Sequence, residues 1–111
     1  MSRFTRTLFC LFLLSLPSPI FAGESQPGLV GTIVENNSSR AFFTSSGARI
    51  SRPSCATYDR WVMDTSQSAG QAMLTMLLTA YSLGKQVYVY GTGACGQWGD
   101  SESIDYIRIV D

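Results

Sequence analysis

The sequence predicts a mainly β domain carrying a single helix, and three observations point that way. Short runs rich in Val, Ile, Phe, Tyr and Trp recur between clusters of Gly, Pro, Asn and Ser. One longer stretch, Ser68 to Leu83, follows a 3.6-residue apolar period and carries no Lys, Arg, Asp or Glu. The order of these runs is strand, strand, strand, helix, strand, strand.

The first residues read as a targeting signal. Arg3 and Arg6 make a basic start, Leu8 to Leu16 an apolar run, and Ile20-Phe21-Ala22 a cleavage sequence. The apolar run is shorter than the ~20 residues that span a bilayer, so no membrane span is expected once residues 1–22 are removed. Cys10 leaves with them. The protein is expected to be exported, either to the periplasm or out of the cell. Cleavage after Ala22 leaves about 89 of the 111 residues, room for one small domain, 23–111. Taking Arg3 and Arg6 from eight basic residues leaves six against eight acidic ones. A side-chain balance near minus two offers no electrostatic footprint for nucleic acid. Two cysteines remain in an exported chain with a small core, so Cys55 and Cys95 are expected to form a disulfide.

Gly23 to Gly28 is polar and contains Pro27, which reads as a frayed or extended terminus. Leu29 to Val34 is the first strand, with Gly31 at a bulge or a close backbone approach. Glu35 to Ser39 is a turn, and Arg40 to Thr44 completes a hairpin. Ser45 to Ser54 is loop-like, and Pro53 disfavours a central strand there. Arg60 to Asp64 is the third strand, in which Trp61 is assigned to the core or an interface. A capping box of Ser68 and Gln71 is expected to open the helix, and Gly84 to close it. Val87 to Tyr90 and Ser103 to Val110 are the last strands, the latter alternating Ile104, Tyr106, Arg108 and Val110 with Asp105, Ile107 and Ile109. This order, with the helix between strands 3 and 4, is that of an OB-fold, a five-stranded Greek-key barrel.

The helix is the most informative element. Ala69, Ala72, Met73, Met76, Leu77, Ala80 and Leu83 follow one face, while Leu74, Leu78 and Tyr81 fall beside or opposite it. An uncharged helix on so small a domain needs a partner, and further copies of the chain are the expected one, through Met73, Leu74, Leu77, Leu78 and Tyr81.

Chemistry is narrowly bounded. With no His and both mature cysteines paired, Ser-His-Asp hydrolysis and Cys/His zinc sites are excluded. Asp100 and Glu102 stand two apart and could converge for acid/base work, but a solvated acidic turn accounts for them equally. No catalytic residue, metal or cofactor is therefore expected. Gly91-Thr92-Gly93-Ala94-Cys95-Gly96 lacks the Gly-Lys-Ser/Thr end of a phosphate loop. Trp98, flanked by polar groups, could stack on a sugar ring or plug one end of the barrel.

Arg60-Trp61-Val62-Met63-Asp64-Thr65-Ser66, Gly70-Gln71-Ala72-Met73-Leu74 and Leu83-Gly84-Lys85-Gln86-Val87-Tyr88-Val89-Tyr90 resemble the B subunits of subtilase cytotoxin and its pertussis-like AB5 relatives. Gly91-Thr92-Gly93 and Trp98-Gly99-Asp100-Ser101-Glu102-Ser103 resemble small exported bacterial proteins described as similar to that B subunit. The resemblance covers about Leu29 to Asp111. It implies an OB-fold protomer in a ring of five, with the helices lining a pore, glycans bound on the outer face, and an A subunit as a further partner.

The expected function is thus that of an exported, non-catalytic homo-oligomer that binds carbohydrate or a cell-surface glycoconjugate. Trp98 would stack on the sugar, Asp100 and Glu102 would accept its hydroxyl hydrogen bonds, and Thr32 and Thr92 would line the same rim. A structural module that docks another protein through the helix, with no glycan recognition, is the alternative.

Overall fold

The computed structural model describes residues 21–111. Of the leader only Phe21 and Ala22 belong to this range; the rest of that expectation, Cys10 included, lies outside the described residues.

The first strand, β1 (Glu24–Glu35), begins well before Leu29, so Gly23 to Gly28 is not a frayed end. Its first half pairs antiparallel with β5 (Gln86–Gly91), Glu24 opposite Tyr90 and Ser25 opposite Val89. Pro27 has no N–H to give a ladder, and it falls in the irregularity between Ser25 and Gly28, where none is required. The second half of β1 makes the expected hairpin with β2 (Arg40–Ser45). Asn36 holds the turn, its side-chain oxygen accepting from the N–H groups of Ser38 at 3.0 Å and Arg40 at 3.1 Å. The ladder slips between Val30 and Ile33, around Gly31, where an added Cβ would stand 2.6 Å from Thr44 Oγ1. Gly31 therefore marks both the bulge and the close approach its sequence suggested.

Ser45 to Ser54 contains a strand the composition does not reveal. β3 (Arg49–Ile50) adds to β1 opposite Glu24 and Ser25. A two-residue strand has no periodicity to read; only its neighbour makes it one. β4 (Trp61–Asp64) follows, antiparallel to β2, then α1 (Ser68–Leu83), β5 and β6 (Glu102–Val110). The helix therefore lies between the fourth and fifth strands, not the third and fourth.

Pairings run β1–β2–β4–β6–β5 and back to β1, so five strands close on themselves and β3 extends one margin. All these pairs are antiparallel except β4 with β6, where Trp61 faces Glu102 and Val62 faces Ser103. Inside the ring lie Ala41, Phe43, Trp61, Met63, Val87, Val89, Ile104 and Ile107. Strict alternation on β6 fails because the ladder to β5 slips between Tyr106 and Ile104, turning both Ile104 and Ile107 inward.

The helix touches β1, β4, β5 and β6 and sends Leu77 and Ala80 into this core. Gly70 permits the approach, since a Cβ there would lie 1.8 Å from the Asp64 carbonyl oxygen. Its C-terminus is as expected: Gly84 is left-handed at φ 63°, and the Lys85 N–H donates to Ala80 O at 2.9 Å. Its N-terminus is not. Ser68 is already helical, the N-cap Gln67 makes no side-chain cap bond, and Gln71 donates to Thr65 O at 3.0 Å, so no capping box forms. Asp64 organises the entry instead, accepting from Ser66 N at 3.0 Å and Arg40 at 2.9 Å.

Cys55 and Cys95 are bonded, with Cα atoms 6.1 Å apart. The bond ties the segment before β4 to the loop between β5 and β6. No helix among the described residues is long and apolar enough to cross a membrane.

Candidate functional site

The five residues assigned to a ligand do not gather at one place. Glu102 is fully buried. Its carboxylate accepts from Gly23 N at 2.8 Å and Gly93 N at 3.0 Å, and pairs with Arg49 at 3.1 Å. Arg49 in turn lies over the Trp61 ring at 4.1 Å and reaches Asp59 at 3.2 Å. Glu102 is therefore a structural acid, and its assignment as an acceptor for sugar hydroxyls is corrected: every strong acceptor direction is turned inward. Asp100 faces outward to Arg60, so the two carboxylates do not converge. Thr92 turns its hydroxyl to the carbonyls of Ala94 and Ser103, within the loop after β5.

Trp98, Asp100 and Thr32 connect to a common pair of residues, Phe42 and Arg60: Trp98 packs on Phe42, Asp100 pairs with Arg60, and Thr32 lines a groove with both. Because Phe43 points into the barrel, its neighbour Phe42 points out, yet it is only 5% exposed. Two groups cover it. Trp98 packs edge-on at 5.4 Å between ring centroids, and the Arg60 guanidinium lies 4.0 Å from the ring centre. Arg60 also lies 4.2 Å from the Tyr58 ring, donates to Ser101 Oγ at 2.8 Å, and reaches Asp100 at 3.3 Å. Beside this cluster runs a groove of about 160 Å³ lined by Thr32, Val34, Phe42, Thr44, Tyr58 and Arg60. Trp98 is 38% exposed and Tyr58 55%. Sequence reasoning missed Phe42, Tyr58 and Arg60. The available signal was an aromatic residue in the outward register of β2, which needs a cover of its own.

The groove offers aromatic surface, hydroxyls and one guanidinium, the groups that hold a polyol with an apolar C–H face. It contains no paired nucleophile and base. Asp100 is held below the usual carboxylate range chiefly by the Ser101 hydroxyl, with Arg60 adding; Asp64 is lowered chiefly by Ser66. A depressed folded-state value stabilises the fold above the unfolded value of about 4 and is lost as pH falls through the folded one. Thermal melts should therefore decline as pH drops below about 4, and the decline should be shallower in Asp64→Asn/Asp100→Asn. Equal slopes would show that these two groups do not carry the acid limb.

The exposed side of α1 is the second candidate surface. Of its residues only Gly70, Leu77 and Ala80 are buried, with Met73 and Leu74 half-buried against the core. Leu77 is thus core and leaves the expected interface, whereas Leu78 (46%) and Tyr81 (55%) stand open, as do Met76 and Leu83. An open furrow of about 490 Å³ runs between the helix and β1, lined by Gly31, Thr32, Ile33, Leu78 and Tyr81.

On the far wall, Tyr90 stacks on Tyr106 at 5.3 Å, and Arg108 covers Tyr88. The Tyr88 hydroxyl donates to Glu24, which pushes its pKa up to about 12. Comparison with known proteins finds no matching family model, no curated relative and no matching solved structure.

Proposed function

We propose that this chain is an exported, self-associating OB-fold subunit, similar to the B subunits of pertussis-like toxins, that binds a carbohydrate and performs no chemistry. The observation that carries the reading is α1: an uncharged helix with exposed apolar side chains on both flanks of its buried stripe, Leu78 and Tyr81 on one and Met76 and Leu83 on the other. Apolar side chains concentrated on one helix are the signature of an interaction surface. The furrow beside Tyr81 suits a side chain from another copy. The circuit β1–β2–β4–β6–β5–β1, closed by one parallel pair, supports the OB-fold assignment once the two-residue β3 is set aside as an extension of the margin.

Sugar recognition is assigned to the Phe42 groove. Phe42 and Tyr58 supply ring surface, Thr32 and Thr44 hydroxyls, and Arg60 a donor for an acidic or hydroxyl oxygen, while the exposed Trp98 packs on Phe42 beside the groove.

Light scattering at low micromolar concentration tests the assembly. The mature protein should show several times the protomer mass, near five, and Leu78→Lys/Tyr81→Lys should be monomeric with an unchanged circular dichroism spectrum. A monomeric wild type would sink the B-subunit reading. On a glycan array, Trp98→Ala should weaken retention at least about tenfold, the size of a modest hot spot; undiminished retention would remove Trp98 from the site.

A further inference from the structure

A fully buried carboxylate calls for explanation in a domain this small, and the surroundings of Glu102 supply one. Backbone presses on it from two sides: a Cβ on Gly23 would lie 2.2 Å from Glu102 Oε1, and one on Gly91 would lie 1.9 Å from Oε2. Its cationic partner, Arg49, is shared with Asp59. The nearest donor to Oε2 is the nitrogen of Gly23, at 2.8 Å and buried. Gly23 is also the residue that follows the cleavage sequence Ile20-Phe21-Ala22.

We infer that the α-ammonium group released by cleavage after Ala22 is a buried ion-pair partner of Glu102, so that removal of the leader turns a neutral hydrogen bond to this acid into a charged one. The inference rests on that reading of the leader. In the hydrolysis, by a signal peptidase, water adds its hydroxyl to the Ala22 carbonyl carbon and a hydrogen to the Gly23 nitrogen. The new acid then gives up its proton and the new amine takes one, which turns a neutral N–H donor into a cation. Little movement is needed, because the Gly23 carbonyl is already held by the Gly91 N–H at 2.7 Å and Glu24 and Ser25 are paired with β5 and β3. Before cleavage Glu102 shares Arg49 with Asp59, which also pairs with Arg52 at 3.5 Å; afterwards Glu102 has a second cation of its own. Any side chain at position 23 would press its Cβ onto Glu102 Oε1, at 2.2 Å in this arrangement, and glycine avoids that contact. Charge-assisted hydrogen bonds of this type are roughly twice as strong as neutral ones.

The chain offers a clean test because Lys85 is its only lysine, and it is exposed. The exported protein is isolated from cells expressing the full chain, and its intact mass is measured first. A mass corresponding to Gly23–Asp111 is expected; a mature chain starting elsewhere overturns the inference. Acetylation near pH 7 ordinarily favours the α-amine, whose pKa of about 8 lies below that of lysine at about 10.4. In the folded protein the preference should invert, with Lys85 modified and Gly23 reacting at least about tenfold more slowly than in urea. Gly23 reacting as fast as in urea overturns the proposal. Protein acetylated at Gly23 in urea and then refolded keeps its N–H but not its charge, and its Tm should fall by roughly 5 to 10 °C. An unchanged Tm would mean that the charge contributes nothing.

Discussion

Loss of the Cys55–Cys95 bond should lower the stability of this domain by about 4 kcal/mol, the chain-entropy value for a sequence separation of 40 residues. Domains of this size shift by about 4 to 8 °C per kcal/mol, so Tm should drop by roughly 15 to 30 °C in Cys55→Ser/Cys95→Ser. Total stabilities of small domains are about 5 to 15 kcal/mol, and the reduced protein would retain little. The local consequence follows from the position of the bond. Cys95 is three residues from Trp98, and the loop they share covers Phe42 on the outside of β2. Freed from Cys55, that loop would leave Phe42 in water, and under the proposed glycan-binding reading retention should fall before the barrel melts. Melts by circular dichroism, with and without reductant, provide the check. A shift smaller than about 5 °C would mean that β pairing alone holds the two segments together.

Glu102→Ala should cost about 3 to 5 kcal/mol, the usual penalty for removing one member of a buried ion pair. It leaves the Arg49 guanidinium over Trp61 with only the exposed Asp59 as a carboxylate partner, and the N–H groups of Gly23 and Gly93 without that acceptor. Asp100→Ala, two positions earlier, should cost far less, because Asp100 sits at the surface beside an Arg60 that keeps Ser101 and two aromatic rings. Urea melts of the two variants separate structure from recognition: Glu102→Ala unfolds early, whereas Asp100→Ala folds normally. Comparable midpoints would refute the structural role given to Glu102.

These two acids show where sequence reading stops. As a pair of carboxylates in a Gly- and Ser-rich turn, Asp100 and Glu102 look alike. They differ because Glu102 joins β6 opposite Trp61, inside the ring, and finds Arg49 from a segment whose loop-like composition hid its strand. The first half of β1 was missed for a similar reason. It is polar and broken by Pro27, and its strand character is imposed by β5 and β3. The helix, in contrast, has the bounds its sequence predicts, Ser68 to Leu83, because an apolar period and a glycine stop are local signals. Even there the side chains divided differently: Leu77 is buried and Leu78 open, although both are leucines in one uncharged run.

The amino-acid order alone determined the single helix and its end at Gly84, the cores of five strands, and the pairing of Cys55 with Cys95. The helix and strand cores depend on neighbouring residues, and the cysteine pairing on setting aside Cys10 with the expected leader. The tertiary structure alone decided which helix face is free, which acid is internal and how Thr32, Phe42, Arg60 and Trp98 come to share one surface. Those outcomes depend on residues tens of positions apart, brought together when β4 and β6 pair and close the ring.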